Sequence, residues 1–173
     1  MSPRPIQPTI HTHAHGPDDD DAALRDAFRE ALSGWASGVA VVAVREDDEV
    51  VAMTVSAFAS VSMYPPLVLV CIDENGHILP SMLAERRFTV SLLGEAQKRL
   101  AASFADKLPA ADDLFAEGDP VLHGSVAALI CTLWEAYPGG DHRIVVGRVE
   151  RAVAGEEDAP LVYHRRRYRG LSG

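Results

Sequence analysis

Cysteine is scarce. Cys71 and Cys131 are the only two, and each stands in an apolar stretch. They form no C-x-x-C pair, so neither a redox motif nor a thiolate metal site is written into the chain. Both read as small buried hydrophobes, and a reducing cytoplasm is the expected compartment. Long apolar runs are missing too. No segment approaches the roughly 20 residues that a membrane helix needs. The opening MSPRPIQPTIHTHAHGPDDDD has no apolar core of a signal peptide, so none is expected. No G-x-G-x-x-G follows a strand-like run, which leaves no visible Rossmann nucleotide site. No stretch repeats. Positive charge is short, with 16 Lys and Arg against 25 Asp and Glu. The net charge of −9 argues against a general nucleic-acid binder. Arg165, Arg166, Arg167 and Arg169 are a local exception.

What is there suits one domain with a real core: 173 residues, 47% apolar and 24% charged. Residues 1–20 are rich in Pro, His and Asp and are expected to be a disordered tail, followed by a single domain over 21–173. His11, His13 and His15 carry metal-binding side chains, but no scaffold fixes them, so no metal site is expected.

Asp20 or Asp21 can cap a helix over about 22–36, whose Leu24, Phe28, Ala31, Leu32 and Trp35 make one apolar stripe. Strands are predicted over 39–44 and 49–57, around a polar turn at 45–48. Asn75-Gly76 marks a tight turn at 73–77, and 78–85 suits a short helix perturbed by Pro80. Phe88, Val90 and Leu92 alternate in a strand at 87–93. Ala96, Leu100, Ala101 and Phe104 line the inner side of a helix at 95–106. An acidic loop over 107–120, with a helical turn at 112–115, leads to a long hairpin. Its strands are 125–137 and 142–153, on either side of a Gly139-Gly140 turn. A short strand at 161–163 and an arginine-rich end finish the chain; Arg165 to Arg169 have two readings, a solvated basic terminus and a contact to the phosphates of a dinucleotide.

The stretch 52–73 is the densest in signal. Thr54, Ser56, Phe58, Ser60 and Ser62 share one parity, so one extended strand would carry four hydroxyls along a face. Pro65-Pro66 interrupts regular pairing, and the unbroken apolar run 67–72 reads as a strand buried on both faces. Strands dominate, mostly as antiparallel neighbours, without the β-α alternation of a doubly wound sheet. The expected architecture is mainly β with flanking helices, a closed or partly closed antiparallel barrel.

The order M-T-V-S-A-F-x-S-V-S-x-x-P-P-L-V-L-V-C-I at 53–72 resembles the central stretch of the flavin reductase-like family. W-A-S-G-V-A-V-V at 35–42, R-F-T-V-S-L-L at 87–93, G-G-D-H at 139–142 and P-L-V-Y at 160–163 extend the resemblance over about 24–171. It implies an antiparallel Greek-key split β-barrel of the FMN-binding type and a homodimer with flavin in an interfacial groove. It also implies NAD(P)H:flavin oxidoreductase activity: NADH or NADPH reduces FMN or FAD, and reduced flavin passes to a partner flavin-dependent monooxygenase. By position, Met53, Thr54, Ser56 and Ala57 line the groove, and Cys71, Ile72 and Asp73 approach from the next strand. His77 falls where the family contacts the ribityl-phosphate. Turn N–H groups and the helix start near Ile78 suit that phosphate. Ser103 and Phe104 match a second flavin-contacting patch, with core packing the other reading of Phe104. Gly140, Asp141 and His142 match the turn bordering the nicotinamide.

No catalytic acid or base is implied, because the flavin carries the hydride chemistry. Ser91 stands where the family often has Asn, Ala52 where Gly is frequent, and His77 where Ser or Arg is common. These departures leave FMN versus FAD open. Two other readings share the fold class: an FMN-binding electron-transfer or sensor protein, and an amine-oxidising FMN barrel enzyme.

Overall fold

The computed structural model describes residues 19–105, 112–155 and 159–171. The expected tail, with His11, His13 and His15, lies outside them except for its last two residues, as do residues 107–111 of the acidic loop. The chain falls into two compact units, divided between Gly34 and Trp35.

The first unit is described by helix α1 (Asp19–Ser33), which starts a turn earlier than the sequence predicts. Leu24, Phe28 and Leu32 recur on one stripe as the helical period requires, yet each is more than half exposed.

The second unit is mostly strand. In chain order come β1 (Ser37–Gly38), β2 (Ala40–Glu46), β3 (Glu49–Val55), β4 (Phe58–Met63), β5 (Pro66–Asp73) and α2 (Leu79–Glu85). Then follow β6 (Arg87–Leu92), α3 (Lys98–Ala105), β7 (Ala127–Gly139), β8 (His142–Ala154), β9 (Val162–His164) and β10 (Arg167–Arg169). The main sheet has seven strands in the order β3-β2-β6-β7-β8-β5-β4, all antiparallel. A second sheet holds β1, β9 and β10. The predicted helix at 95–106 begins as a 3₁₀ turn (Glu95–Gln97) before α3.

Two cores flank β2, which explains its unbroken apolar sequence. Ala40 to Val44 are five consecutive buried residues. Period two sends Ala40, Val42 and Val44 to one core and Val41 and Ala43 to the other. The first core is the barrel interior. It joins Val55 of β3 to Val70 of β5, although four strands separate β3 from β5 in the sheet. The sheet therefore curls on itself. Its end strands β3 and β4 do not pair, so the barrel is split. Phe88 fills the interior against Gly147, where an added Cβ would lie 2.5 Å from the phenyl Cζ. The second core lies outside the barrel, where Ala101 and Phe104 of α3, Phe115, Leu122 and Leu161 cover β2 and β3.

One expectation is corrected. The alternating run 54–62 is not one strand. It breaks at Ser56-Ala57, so Thr54 and Ser60 lie on opposite ends of the sheet. At the break the Ala57 carbonyl leaves the β3 ladder and accepts the Cys71 N–H (3.0 Å). A register shift between Ser60 and Ser62 then moves the parity again. The arginine-rich end is solvated as expected, with Arg165, Arg166, Arg167 and Arg169 all exposed, and it is also folded. Arg165 and Arg166, at φ 48° and 58°, make the two-residue turn of the β9–β10 hairpin. The sequence gives no Asn-Gly there to announce it.

Candidate functional site

The outward face of β3 carries Ala52 and Thr54, and Met53 faces the barrel interior. Thr54 Oγ1 donates to the carbonyl of Ala101 on α3 (2.8 Å), and the hydroxyl of Tyr168 donates to the same oxygen (3.3 Å). Beside these bonds lies a cleft of about 210 Å³ lined by Val39, Thr54, Ser56, Ala105, Tyr163 and Tyr168. Tyr163 and Tyr168 are register partners, their rings tilted with centroids 5.4 Å apart. Ser56 and Ala57 are exposed at the corner where β3 ends.

The turn after β5 is tight. Asp73 Oδ1 accepts the Asn75 N–H and the Asp73 carbonyl accepts the Gly76 N–H, both at 2.7 Å. A Cβ on Gly76 would sit 2.8 Å from that carbonyl, so the turn requires glycine. His77 follows, its Nε2 donating to the Ala52 carbonyl (3.1 Å) two residues before Thr54. The turn after β7 meets this one. Asp73 is in register with His142, and the Glu74 N–H donates to the Asp141 carbonyl (2.9 Å). Arg143 pairs with Glu74 across the two turns. Gly140 has φ 82°, a left-handed position that glycine takes without strain. His142 Nδ1 lies 2.7 Å from Asp141 Oδ1, and this partner holds the Asp141 carboxyl below its usual range.

The predicted residues thus fall into three groups. Thr54 and Ser56 line the cleft with α3. Asp73 and His77 form the β5 turn, tied to β3 through Ala52. Gly140, Asp141 and His142 form the β7–β8 turn, tied to the β5 turn through Glu74. Other predicted residues present no side chain there. Ile72 is fully buried in the barrel, and Phe104, 2% exposed, packs on Phe115 at 5.8 Å between centroids. Ser103 donates within its own helix to the Arg99 carbonyl (3.1 Å). Cys71 is half-buried. The phosphate argument needs a correction as well, because the N–H groups of Glu74, Asn75 and Gly76 are all bonded within the protein. Burial pushes the Cys131 thiol up to about 12, so it stays neutral and chemically quiet.

Sequence reasoning missed Val39, Ala105, Tyr163 and Tyr168 as cleft residues. Tyr163 sat within a motif already noticed, P-L-V-Y. Tyr168 gave no signal, since only the hairpin brings it opposite Tyr163. Among the described residues no group of three or more His, Cys, Asp or Glu could hold a metal, and no helix is long and apolar enough to cross a membrane.

Known proteins resemble this chain over most of its length. The family model "Flavin reductase like domain" matches residues 32–172. The reductase component of 4-hydroxyphenylacetate 3-monooxygenase from Thermus thermophilus is 47% identical over 148 residues, covering 86% of this chain and 97% of the relative. An NADH:FMN oxidoreductase of Rhodococcus qingshengii is 34% identical, covering 97% of this chain and 96% of the relative. The solved NADH:FAD oxidoreductase of Streptomyces globisporus, in complex with NAD and FAD fragments, superposes with a TM-score of 0.80 at 32% identity, covering 92% of this chain and 98% of its own. On the matched length, the shared split barrel and these identities, the chain belongs to the flavin reductase-like family.

Proposed function

We propose that the protein is an NAD(P)H:flavin oxidoreductase that reduces FMN or FAD and supplies reduced flavin to a partner flavin-dependent monooxygenase. The observation that carries this reading is the meeting of the two turns. The resemblance assigns Asp73 and His77 to flavin and Gly140, Asp141 and His142 to the nicotinamide, and the Glu74 N–H to Asp141 carbonyl bond sets the two turns side by side. Hydride transfer needs two rings in contact and water kept out, and it needs no acid or base from the chain.

The residues fit a flat cofactor. Ser56, Ala57 and Ala105 are small enough for a ring to approach backbone, and Thr54 and two tyrosines supply polar and aromatic walls. In this reading Met53, Cys71 and Ile72 contribute backbone, Phe104 supports α3 from beneath, and Ser103 lies on the helix that borders the ring. Bound flavin supplies the redox chemistry. Thr54 and the β5 turn orient it, and His142 holds the dinucleotide through its imidazole. Homodimerisation completes the groove. The working domain lies within residues 21–173, in a cytoplasmic protein.

The test is to follow NADH and NADPH oxidation with added FMN and with FAD. Steady consumption with excess free flavin is expected. Tight flavin binding without turnover would move the reading to an electron-transfer or sensor barrel, and amine-dependent reduction to an oxidase. Ser56→Leu is expected to raise the flavin Kd by at least about tenfold, or 1.4 kcal/mol. His142→Ala is expected to raise KM for NAD(P)H roughly two- to tenfold at unchanged flavin affinity, the worth of one hydrogen bond.

A further inference from the structure

The C-terminal hairpin holds none of the residues that the resemblance assigns to flavin, yet it builds one wall of the cleft. The sequence around it explains how it is held. The Leu161 N–H donates to the Leu93 carbonyl (2.8 Å), and the Val39 N–H donates to the Leu161 carbonyl (3.2 Å). β9 then pairs with β1 on one side and β10 on the other. This clamps Tyr163 next to Val39, and the register sets Tyr168 directly opposite Tyr163.

Tyr168 reaches from β10 to the Ala101 carbonyl, the same oxygen that Thr54 uses from β3. One buried acceptor therefore fixes two opposite walls, strand β3 and the hairpin. The bond also sets polarity. The Thr54 hydroxyl hydrogen is committed to Ala101, so toward the cleft its oxygen can only accept. A ligand group that meets Thr54 there must be an N–H or O–H donor.

Resting on the flavin-reductase reading, we infer that Tyr168 is a positioning residue: its ring is a stacking wall of the cofactor cleft, and its hydroxyl, with Thr54, fixes the cleft's width. The ligand moiety taken between β3 and the hairpin is a planar heterocycle or its polyhydroxyl chain, presenting a donor to Thr54.

The experiment compares wild type, Tyr168→Phe, Tyr168→Ala and Thr54→Val by FMN titration (fluorescence), NADH turnover at saturating FMN, and thermal melting. Tyr168→Ala is expected to raise the FMN Kd by about tenfold, the upper worth of an aromatic contact. Tyr168→Phe, which keeps the ring, is expected to recover most of that loss. Thr54→Val, which keeps the shape and loses the acceptor, is expected to raise Kd about two- to tenfold. A purely structural Tyr168 would lower the melting temperature and leave Kd unchanged in Tyr168→Ala, and that result overturns the inference. Phe weakening binding as much as Ala also overturns it, since the stacking wall would then contribute nothing. If Tyr168→Ala does not fold, Tyr168→Leu takes its place under the same criterion. A wild type that neither binds FMN nor oxidises NADH fails the parent reading instead. Normal wild-type activity with unmoved variants fails only this one.

Discussion

The two ends of the seven-stranded sheet are finished in different ways. At the β2–β3 end the chain covers its own strands on both faces. Ala40 to Val44 are all buried, with the barrel interior on one side and α3, Phe115 and Leu161 on the other. At the far end β4 is exposed along most of its length, and Met63 and Tyr64 at its tip are 75% and 95% exposed. Among the described residues β4 pairs with β5 alone. An open edge with apolar side chains is a liability in a lone chain and an asset in an assembly. The finished end carries the candidate cleft, and the unfinished end leaves the outer edge of β4 open.

The strongest way to break this contrast is to empty the core. Phe88 is 1% exposed and seated against Gly147. Phe88→Ala is expected to lose about 3–5 kcal/mol by urea or thermal unfolding, from lost transfer energy and the cavity left behind. Val61→Ala on β4, about half exposed, is expected to change the stability of the folded chain by less than about 0.5 kcal/mol. Equal effects at the two sites would abolish the distinction.

The next test addresses assembly. Val61→Glu with Met63→Glu puts two like charges on β4. If β4 lies in a homodimer contact, the dimer dissociation constant is expected to rise at least about tenfold, or 1.4 kcal/mol, in sedimentation or light scattering. On the proposed dimeric groove, flavin affinity is expected to fall with it. A dimer untouched by both charges would place the contact elsewhere.

The same contrast explains what the sequence disclosed. β2 was legible because a run such as AVVAV has one reading when both faces are buried. The β7–β8 hairpin and the Asp73–His77 turn were legible because Gly139-Gly140 and Asn75-Gly76 mark their backbone geometry. The unfinished end misled. From Thr54 to Ser62 the polar alternation was read as one strand, and alternation cannot register the corner at Ser56-Ala57 or the slip at Ser60. The stripe on α1 was legible from its helical spacing. At the site, the hydroxyl pattern pointed to Thr54, and the family resemblance pointed to His77 and His142. Tyr168 depends on a hairpin register that no local pattern encodes.

Between the two ends, Asp119 braces the sheet. It accepts from Arg87 of β6 (2.7 Å) and from Arg151 of β8 (3.2 Å). The bond from Arg87 holds the Asp119 carboxyl below its usual 3.8, against partial burial that raises it. A depressed carboxylate stabilises the fold above its unfolded pKa, and this contribution disappears as pH falls through the lower folded value. Asp119→Asn is therefore expected to cost about 0.2–1 kcal/mol at pH 7, since Arg87 and Arg151 are both at least half exposed. Its unfolding curve should converge on that of wild type below about pH 3.8, the window set by this carboxyl. A gap that persists in acid would mean the bond acts through packing rather than charge.

The smallest effect is expected at the hairpin turn. Arg165 has φ 48° and Arg166 φ 58°, left-handed positions that asparagine and glycine occupy at lower cost than arginine. His164 and Arg167 close the turn as register partners, so the two central residues must hold this conformation for β10 to meet β9. Arg165 is exposed. Arg165→Asn is expected to stabilise the protein by about 0.5 kcal/mol, or about 1–2 °C in Tm for a chain of this size. It should leave the β9–β10 pairing and the Tyr163–Tyr168 contact intact, with FMN affinity unchanged. A lower Tm would show that the Arg165 guanidinium contributes more to the folded state than its turn strain removes. Weaker FMN binding at unchanged Tm would instead extend the cofactor site to the tip of the hairpin, drawing the finished end of the sheet one turn further into function.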